Sequence, residues 1–236
     1  MSSSAQDPGG PASLGDAIRI GVVFDLDGTL IDSRFDIAAA ANHALATLGF
    51  RTLSVSEIAS YVGDGARPLL ARAAQLGPEA TELEPLLAAF LSYYAAHPTD
   101  HTLLSLGASE ALAELHHLPL ALCTNKPRSI TDAVLSNLRL AAAFTVVVGG
   151  GDLPRAKPDP LPLQHIAEKL GLSPGQLVMV GDGAQDVLCA KAAGARSVGV
   201  AGGMQSQARL LAAEPDVVLQ TLAELPALIS HWQGLP

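Results

Sequence analysis

Aromatic residues make up only 4% of this 236-residue chain, against 49% hydrophobic residues overall, so Ala, Leu and Val have to fill its interior. There are two cysteines, Cys123 and Cys189. Both fall inside apolar runs that read as a strand and a helix. They are expected to be buried thiols rather than a disulfide framework, which fits a reducing compartment. Basic residues are scarce as well: 14 Lys and Arg stand against 23 Asp and Glu, a net charge of −9. Such a balance excludes a typical nucleic-acid binder, which needs a basic face. No apolar run reaches the length that spans a bilayer, and no basic segment followed by an apolar one opens the chain. The expected setting is cytoplasmic, with no membrane partner.

What is present has a clear order. Residues 1–16 are small, polar and rich in Pro and Gly, and are expected to be a disordered tail. Ile20, Val22, Val23 and Phe24 then form a continuous apolar run that reads as a buried parallel strand. It ends on Asp25 and Asp27, with Gly28-Thr29 turning at once. Residues 33–98 show no strand-like run; helices are predicted over 36–48, 55–62, 67–75 and 79–96. From about residue 102 helices and strands alternate. Helices are expected over 108–117, 129–137, 160–170 and 184–193, and strands over 118–124, 144–148, 177–181 and 197–200. A short strand over 216–219 precedes a C-terminal helix. Alternation of this kind predicts an α/β fold with a doubly wound parallel sheet. The helical block, residues 33–101, interrupts a core made of 17–32 and 102–236, and reads as a small cap over the strand ends.

Ligands of open α/β sheets bind at the carboxyl ends of strands. Four such positions here carry polar residues. Asp25 and Asp27 are spaced so that both side chains leave the strand on one side, and two close carboxylates call for a cation. Thr124 and Asn125 follow the strand Leu120 to Cys123, and could hold a phosphate oxygen with a hydroxyl and an amide. Lys157 lies in an extended segment stiffened by Pro158 and Pro160. Asp182 closes the run Val178-Met179-Val180-Gly181, with Asp186 on the first turn of the next helix. Singly, each has a plainer reading, as a helix cap, a turn or a solvated lysine. Capping does not explain why every strand end carries a group suited to one phosphate and metal site.

In order, spacing and context, Asp25-x-Asp27, Thr124, Lys157 and Asp182 with Asp186 resemble the four motifs of the haloacid dehalogenase superfamily. The likeness covers residues 18–230 and extends to that superfamily's small helical cap. Within it the chain resembles the phosphoglycolate phosphatases, through Asp36-Ile37, Asn42-His43-Ala44-Leu45, Val62-Gly63-Asp64-Gly65-Ala66, Thr124-Asn125-Lys126-Pro127, Gly150-Gly151-Asp152 and Ala190-Lys191-Ala192-Ala193-Gly194. Two positions depart from the family: Gly183, where Ser is more usual, and Leu106-Gly107, where a Pro-Gly pair is usual.

The resemblance implies a Mg²⁺-dependent phosphomonoester hydrolase. Asp25 would be the nucleophile that forms an aspartyl-phosphate, and Asp27 the general acid and base. Asp25, the Asp27 main-chain carbonyl and Asp182 would hold the metal. Lys157, Thr124, Asn125 and the amides of Leu26 and Asp27 would cradle the phosphate, while Gly183 and Asp186 sit one shell out. Retention of Asp27 argues against dehalogenation, since a departing halide needs no proton. Cap residues Gly63, Asp64, Gly65 and Arg67 would set specificity, with Arg67 placed to read a second anion. The expected substrate is 2-phosphoglycolate or a similar small phosphate. A sugar phosphate, a phosphorylated specialised metabolite, a phosphomutase of the β-phosphoglucomutase type and a silent binding module are the alternatives. A monomer or homodimer is expected.

Overall fold

A computed structural model describes residues 19–234; the predicted tail, 1–16, lies outside them. In chain order the elements are β1 (Gly21–Phe24), β2 (Ile31–Asp32), α1 (Arg34–Thr47), α2 (Val55–Ala59), α3 (Ala66–Ala74), α4 (Leu83–Ala96) and β3 (Leu103–Leu104). They continue as α5 (Ala108–Glu114), β4 (Leu120–Pro127), α6 (Arg128–Asn137), β5 (Val146–Gly150), α7 (Leu161–Leu170) and β6 (Leu177–Gly181). The last are α8 (Ala184–Ala193), β7 (Arg196–Val200), α9 (Gln207–Ala212), β8 (Val217–Leu219) and α10 (Leu225–Trp232).

Six strands form one parallel sheet in the order β5-β4-β1-β6-β7-β8. Side chains alternate across it. Val22, Phe24, Leu120, Leu122, Val178 and Val180 face one core layer, while Val23, Ala121, Cys123, Leu177 and Met179 face the other. Burial on both faces is why these strands read as unbroken apolar runs. β1 lies in the middle, where the winding direction reverses between β4 and β6. That reversal opens a crevice at its carboxyl end, and Asp25 stands there.

Between β2 and β3 the chain is entirely helical. α4 buries Leu83, Leu86, Phe90 and Tyr94, the helical stripe that packs it against the rest of the insert. The insert joins the core through two adjacent crossings, because β2 and β3 pair antiparallel with Ile31 opposite Leu104. Buried Asp36 on α1 ties the crossings together. Its carboxylate accepts from the His101 N–H at 3.0 Å and from the Thr102 hydroxyl at 2.6 Å.

Several boundaries differ from expectation. β4 runs three residues beyond the predicted end, through Asn125 and Lys126 to Pro127, so the polar triplet is strand rather than loop. β5 begins at Val146, not 144, and α4 at Leu83, not 79, because residues 79–82 are turns. β2, β3 and α9 had no counterpart in the sequence reading; two-residue strands and a six-residue helix leave too short a pattern.

Candidate active site

The site is built where β1, β4 and β6 end side by side. Asp25 extends the β1 pairing by donating its N–H to the Val180 carbonyl at 2.8 Å. Its buried carboxylate lies 2.8 Å from Lys157 Nζ, which also donates to Asp186 at 2.5 Å. Neither Lys157 nor Asp186 reaches solvent. Burial disfavours the Lys157 ammonium, but Asp186 and then Asp25 outweigh it and hold its pKa well above the ordinary value.

Asp182 closes β6 on the other side. One of its oxygens accepts from the Met204 N–H at 2.7 Å and the Gln205 N–H at 3.1 Å. A Cβ at Gly28 or at Gly203 would overlap this carboxylate, so both glycines let backbone close around it. Gly28 also adopts a φ of +85°, a left-handed turn that sends the chain away from the strand end. Burial, then the charges of Asp25 and Asp186, push Asp182 up to about 8 against the pull of those two amides. Asp186 is pushed up by burial and by Asp25, and pulled down by Lys157.

One ligand atom each from Asp25, Asp182 and Asp186 lies within 4.8 Å of the others, a set of hard oxygen donors fit for a divalent cation. The three are not equivalent. Both Asp186 oxygens already have donors, Lys157 Nζ on one and the Gly183 N–H at 3.1 Å on the other. Asp186 therefore has the weaker claim to direct ligation. Gly183 has room for no side chain as the site stands, since Gln185 fills the space that a Cβ would enter.

Asp27 points elsewhere. Its carboxylate accepts from Ser33 at 2.5 Å and from Lys126 Nζ at 2.9 and 3.2 Å. Lys126 also donates to the Tyr94 hydroxyl at 2.5 Å and lies 4.3 Å from the centre of the Tyr94 ring. Burial opposes the Lys126 charge, yet Asp27 and then Tyr94 hold its pKa above the ordinary lysine value.

Asp25, Asp27, Thr124 and Lys126 share a cavity of about 40 Å³ with Val62, Gly63, Gly65 and Tyr94 of the insert, and it stays partly open to solvent. Thr124 lines this cavity, and its hydroxyl accepts from the Lys126 N–H at 3.2 Å. The N–H groups of Leu26 and Asp27 have no acceptor among the described residues. The Asn125 side chain, expected on the phosphate, is engaged otherwise. It donates to the carbonyls of Gly63 and Lys157, both at 2.9 Å, and accepts from the Lys157 N–H at 3.1 Å. Gln205 donates to the Val62 carbonyl.

Two cap expectations need correction. Arg67 pairs with Glu84 at 2.6 Å and opens onto a separate surface groove, away from Asp25 and Asp27. On α3 its position points it toward α4 rather than toward the core. Asp64 turns outward to Arg72, leaving Gly63 and Gly65 as the cavity's roof. Lys126, Tyr94, Ser33 and Gln205 were missed. A signal existed for Lys126, which shares a strand face with Thr124 two residues earlier. Another existed for Tyr94, the one hydroxyl-bearing member of the buried α4 stripe.

A family model described as haloacid dehalogenase-like hydrolase matches residues 22–200. A phosphoglycolate phosphatase of Pectobacterium atrosepticum is 38% identical over 220 residues, 91% of this chain and 94% of that protein. One of Neisseria meningitidis is 40% identical over 213 residues, covering 86% and 91%. The crystal structure of a predicted phosphoglycolate phosphatase from Haemophilus somnus superposes with a TM-score of 0.83 at 28% identity, covering 91% of this chain and all of that one. The chain thus belongs to the haloacid dehalogenase-like hydrolase family, in its phosphatase branch.

Proposed function

We propose that this chain hydrolyses 2-phosphoglycolate, or a phosphate monoester of similar size, through an aspartyl-phosphate at Asp25 with Mg²⁺ as cofactor. One observation carries the reading. Two aspartates from one strand end occupy separate charge environments, Asp25 against Lys157 and the carboxylate cluster, Asp27 against Lys126 and Ser33. A nucleophile needs to stay ionised beside a metal, while a proton carrier needs to face the leaving group; this division supplies both.

In the reading, an Asp25 oxygen attacks phosphorus as the bond to the leaving oxygen breaks, and Asp27 gives that oxygen its proton. Water then attacks the phosphorus, Asp27 takes its proton back, and the Asp25 carboxylate is released with inorganic phosphate. Lys157, Thr124 and the N–H groups of Leu26 and Asp27 bind the phosphoryl oxygens. Asp25, Asp182 and the Asp27 carbonyl would hold Mg²⁺, with Asp186 one shell out. Bound there, the ion would offset repulsion between the carboxylate and the phosphate.

Residues 33–101 serve as a cap that opens for substrate. A small substrate is in keeping with the confined pocket beneath the insert. The relatives named phosphoglycolate phosphatases support its identity. The unpaired, buried Cys123 and Cys189 support work in a reducing cytoplasm.

The test is a panel of glycolate, sugar, nucleotide and aromatic phosphates, run with Mg²⁺ and with chelator. Turnover that needs Mg²⁺ and favours phosphoglycolate is expected. Equal turnover in chelator, or a folded Asp25→Asn variant that keeps substantial activity, would overturn the mechanism.

A further inference from the structure

Hydrolysis as proposed above leaves one buried charge unexplained. The phosphate and nucleophile are already served by Lys157. Lys126 is a second cation, with its side chain 2% exposed, and it is the one basic residue among those lining the cavity. Arg67 and Arg72, the cations of the overlying α3, are paired with Glu84 and Asp64 outside that cavity.

Resting on the phosphatase reading, we propose that Lys126 and Tyr94 form a two-donor clamp for a carboxylate on the substrate, and so select a small phosphorylated acid over a neutral alkyl or sugar phosphate.

The donors are present and aimed. An ammonium has three protons. The Asp27 oxygens, at 2.9 and 3.2 Å, and the Tyr94 hydroxyl are its three acceptors; a ligand carboxylate would take the proton now on the longer Asp27 contact and leave Asp27 the shorter one. The Tyr94 oxygen accepts from Lys126, and its own proton has no acceptor among the described residues although Tyr94 is 1% exposed. Both groups line the cavity that also holds Asp25 and Asp27, within reach of a molecule whose phosphate lies on Asp25.

Apart from Asn125, whose amide is engaged by Gly63 and Lys157, the remaining side chains of the wall are apolar, among them Ile37, Val62, Leu69 and Phe90. Such a wall offers little to the several hydroxyls of a sugar, whose burial without partners is costly. An anion in the same place is favoured only beside a buried cation, and Lys126 supplies it. Because Tyr94 arrives on α4 and Lys126 on β4, the clamp is complete only when the helical insert is closed. A substrate lacking the carboxylate would lose this link between insert and core.

The test compares kcat/KM for 2-phosphoglycolate and 2-hydroxyethyl phosphate, which replaces the carboxylate by a neutral alcohol on the same skeleton. Wild-type protein should favour the acid by about tenfold or more, the value of one charge-assisted hydrogen bond. Lys126→Met should bring that ratio to about one, chiefly through KM for the acid, whatever its effect on both rates through Asp27. Tyr94→Phe keeps the ring beneath the ammonium and should lower the ratio severalfold; it decides the matter should Lys126→Met fail to fold. A ratio unchanged in Tyr94→Phe and in a folded Lys126→Met would overturn the clamp, leaving Lys126 as a partner of Asp27 alone. Wild-type turnover of both substrates without preference would overturn the clamp and leave the phosphatase reading standing. No turnover of any phosphomonoester would overturn the phosphatase reading and the clamp with it.

Discussion

Asp25 and Asp27 leave one strand end two residues apart, yet their partners share no atom. Asp25 meets Lys157, and Asp27 meets Lys126 and Ser33. If Asp27 carries the proton, Asp27→Asn should slow hydrolysis of an alkyl phosphate by about 10²–10⁴-fold. An aryl phosphate, whose phenolate leaves readily without a proton, should lose far less. Equal losses on both would remove Asp27 from the leaving-group step.

Asp182 leads to a second expectation at this scale. Its pKa of about 8 in the metal-free protein lies above that of an unfolded aspartate. Between about pH 4 and pH 8 the folded chain therefore binds more protons than the unfolded one, so metal-free stability falls as pH rises through that window. A metal held by the ionised carboxylate reverses this. The Mg²⁺-induced rise in Tm should grow across the window, each 1 kcal/mol moving Tm by about 2–4 °C. A Mg²⁺ increment that is flat with pH, in melting curves against chelator, contradicts metal binding at Asp182. Asp25 and Asp182 were legible in the sequence because each ends an apolar run, and Lys157 because Pro158 and Pro160 stiffen the segment around it. Lys126 was not, since nothing in one sequence tells a buried lysine from a solvated one until its partners, 99 and 32 residues away, are placed.

At the scale of elements, β4 does more than frame the phosphate. Asn125 near its end holds the Lys157 backbone at both its N–H and carbonyl, and with the same amide holds Gly63 of the insert. Asn125→Ala should therefore cost about 1–3 kcal/mol in denaturant unfolding and lower kcat, because the segment carrying Lys157 loosens. Gln205→Ala removes a contact to the Val62 carbonyl alone. Its effect should fall on KM, with kcat within about twofold. Matching kinetic defects in the two variants would show that Asn125 does not position Lys157. The order of helices and strands could be read from periodicity, and so could the sheet. The extension of β4 through Asn125 and Lys126 could not. Polar residues at a strand end look like the loop that follows until a neighbouring strand pairs with them, as Gly150 of β5 does with Pro127.

Across the whole molecule, the roof of the cavity comes from the helical insert and the floor from the sheet. With the insert in this position the pocket beneath it is narrow, about 40 Å³. In the proposed cycle the insert swings to admit substrate, at the crossings formed by β2 and β3. Free and phosphate-analogue-bound crystals should differ by a rigid rotation of residues 33–101, with breakage of the Asn125 to Gly63 and Lys126 to Tyr94 bonds in the open form. Insert positions that coincide in several lattices, free of contacts there, would count against the swing. The insert itself was legible as an all-helical interruption. Which of its residues face the sheet was not, and Arg67 shows why: its pairing with Glu84 depends on how α3 lies across α4.

The pairing of Ile31 with Leu104 has one more consequence. The chain enters and leaves the helical insert at facing residues of the small β2–β3 pair, so the helices form a cassette clipped between two neighbouring ends. A tight turn joining those ends should leave the six-strand platform able to form. A foreign helical module spliced there would inherit Asp25, Asp182 and Lys157 intact, while substituting its own roof for Gly63 and Tyr94. The architecture thereby separates the inheritance of chemistry from the inheritance of taste.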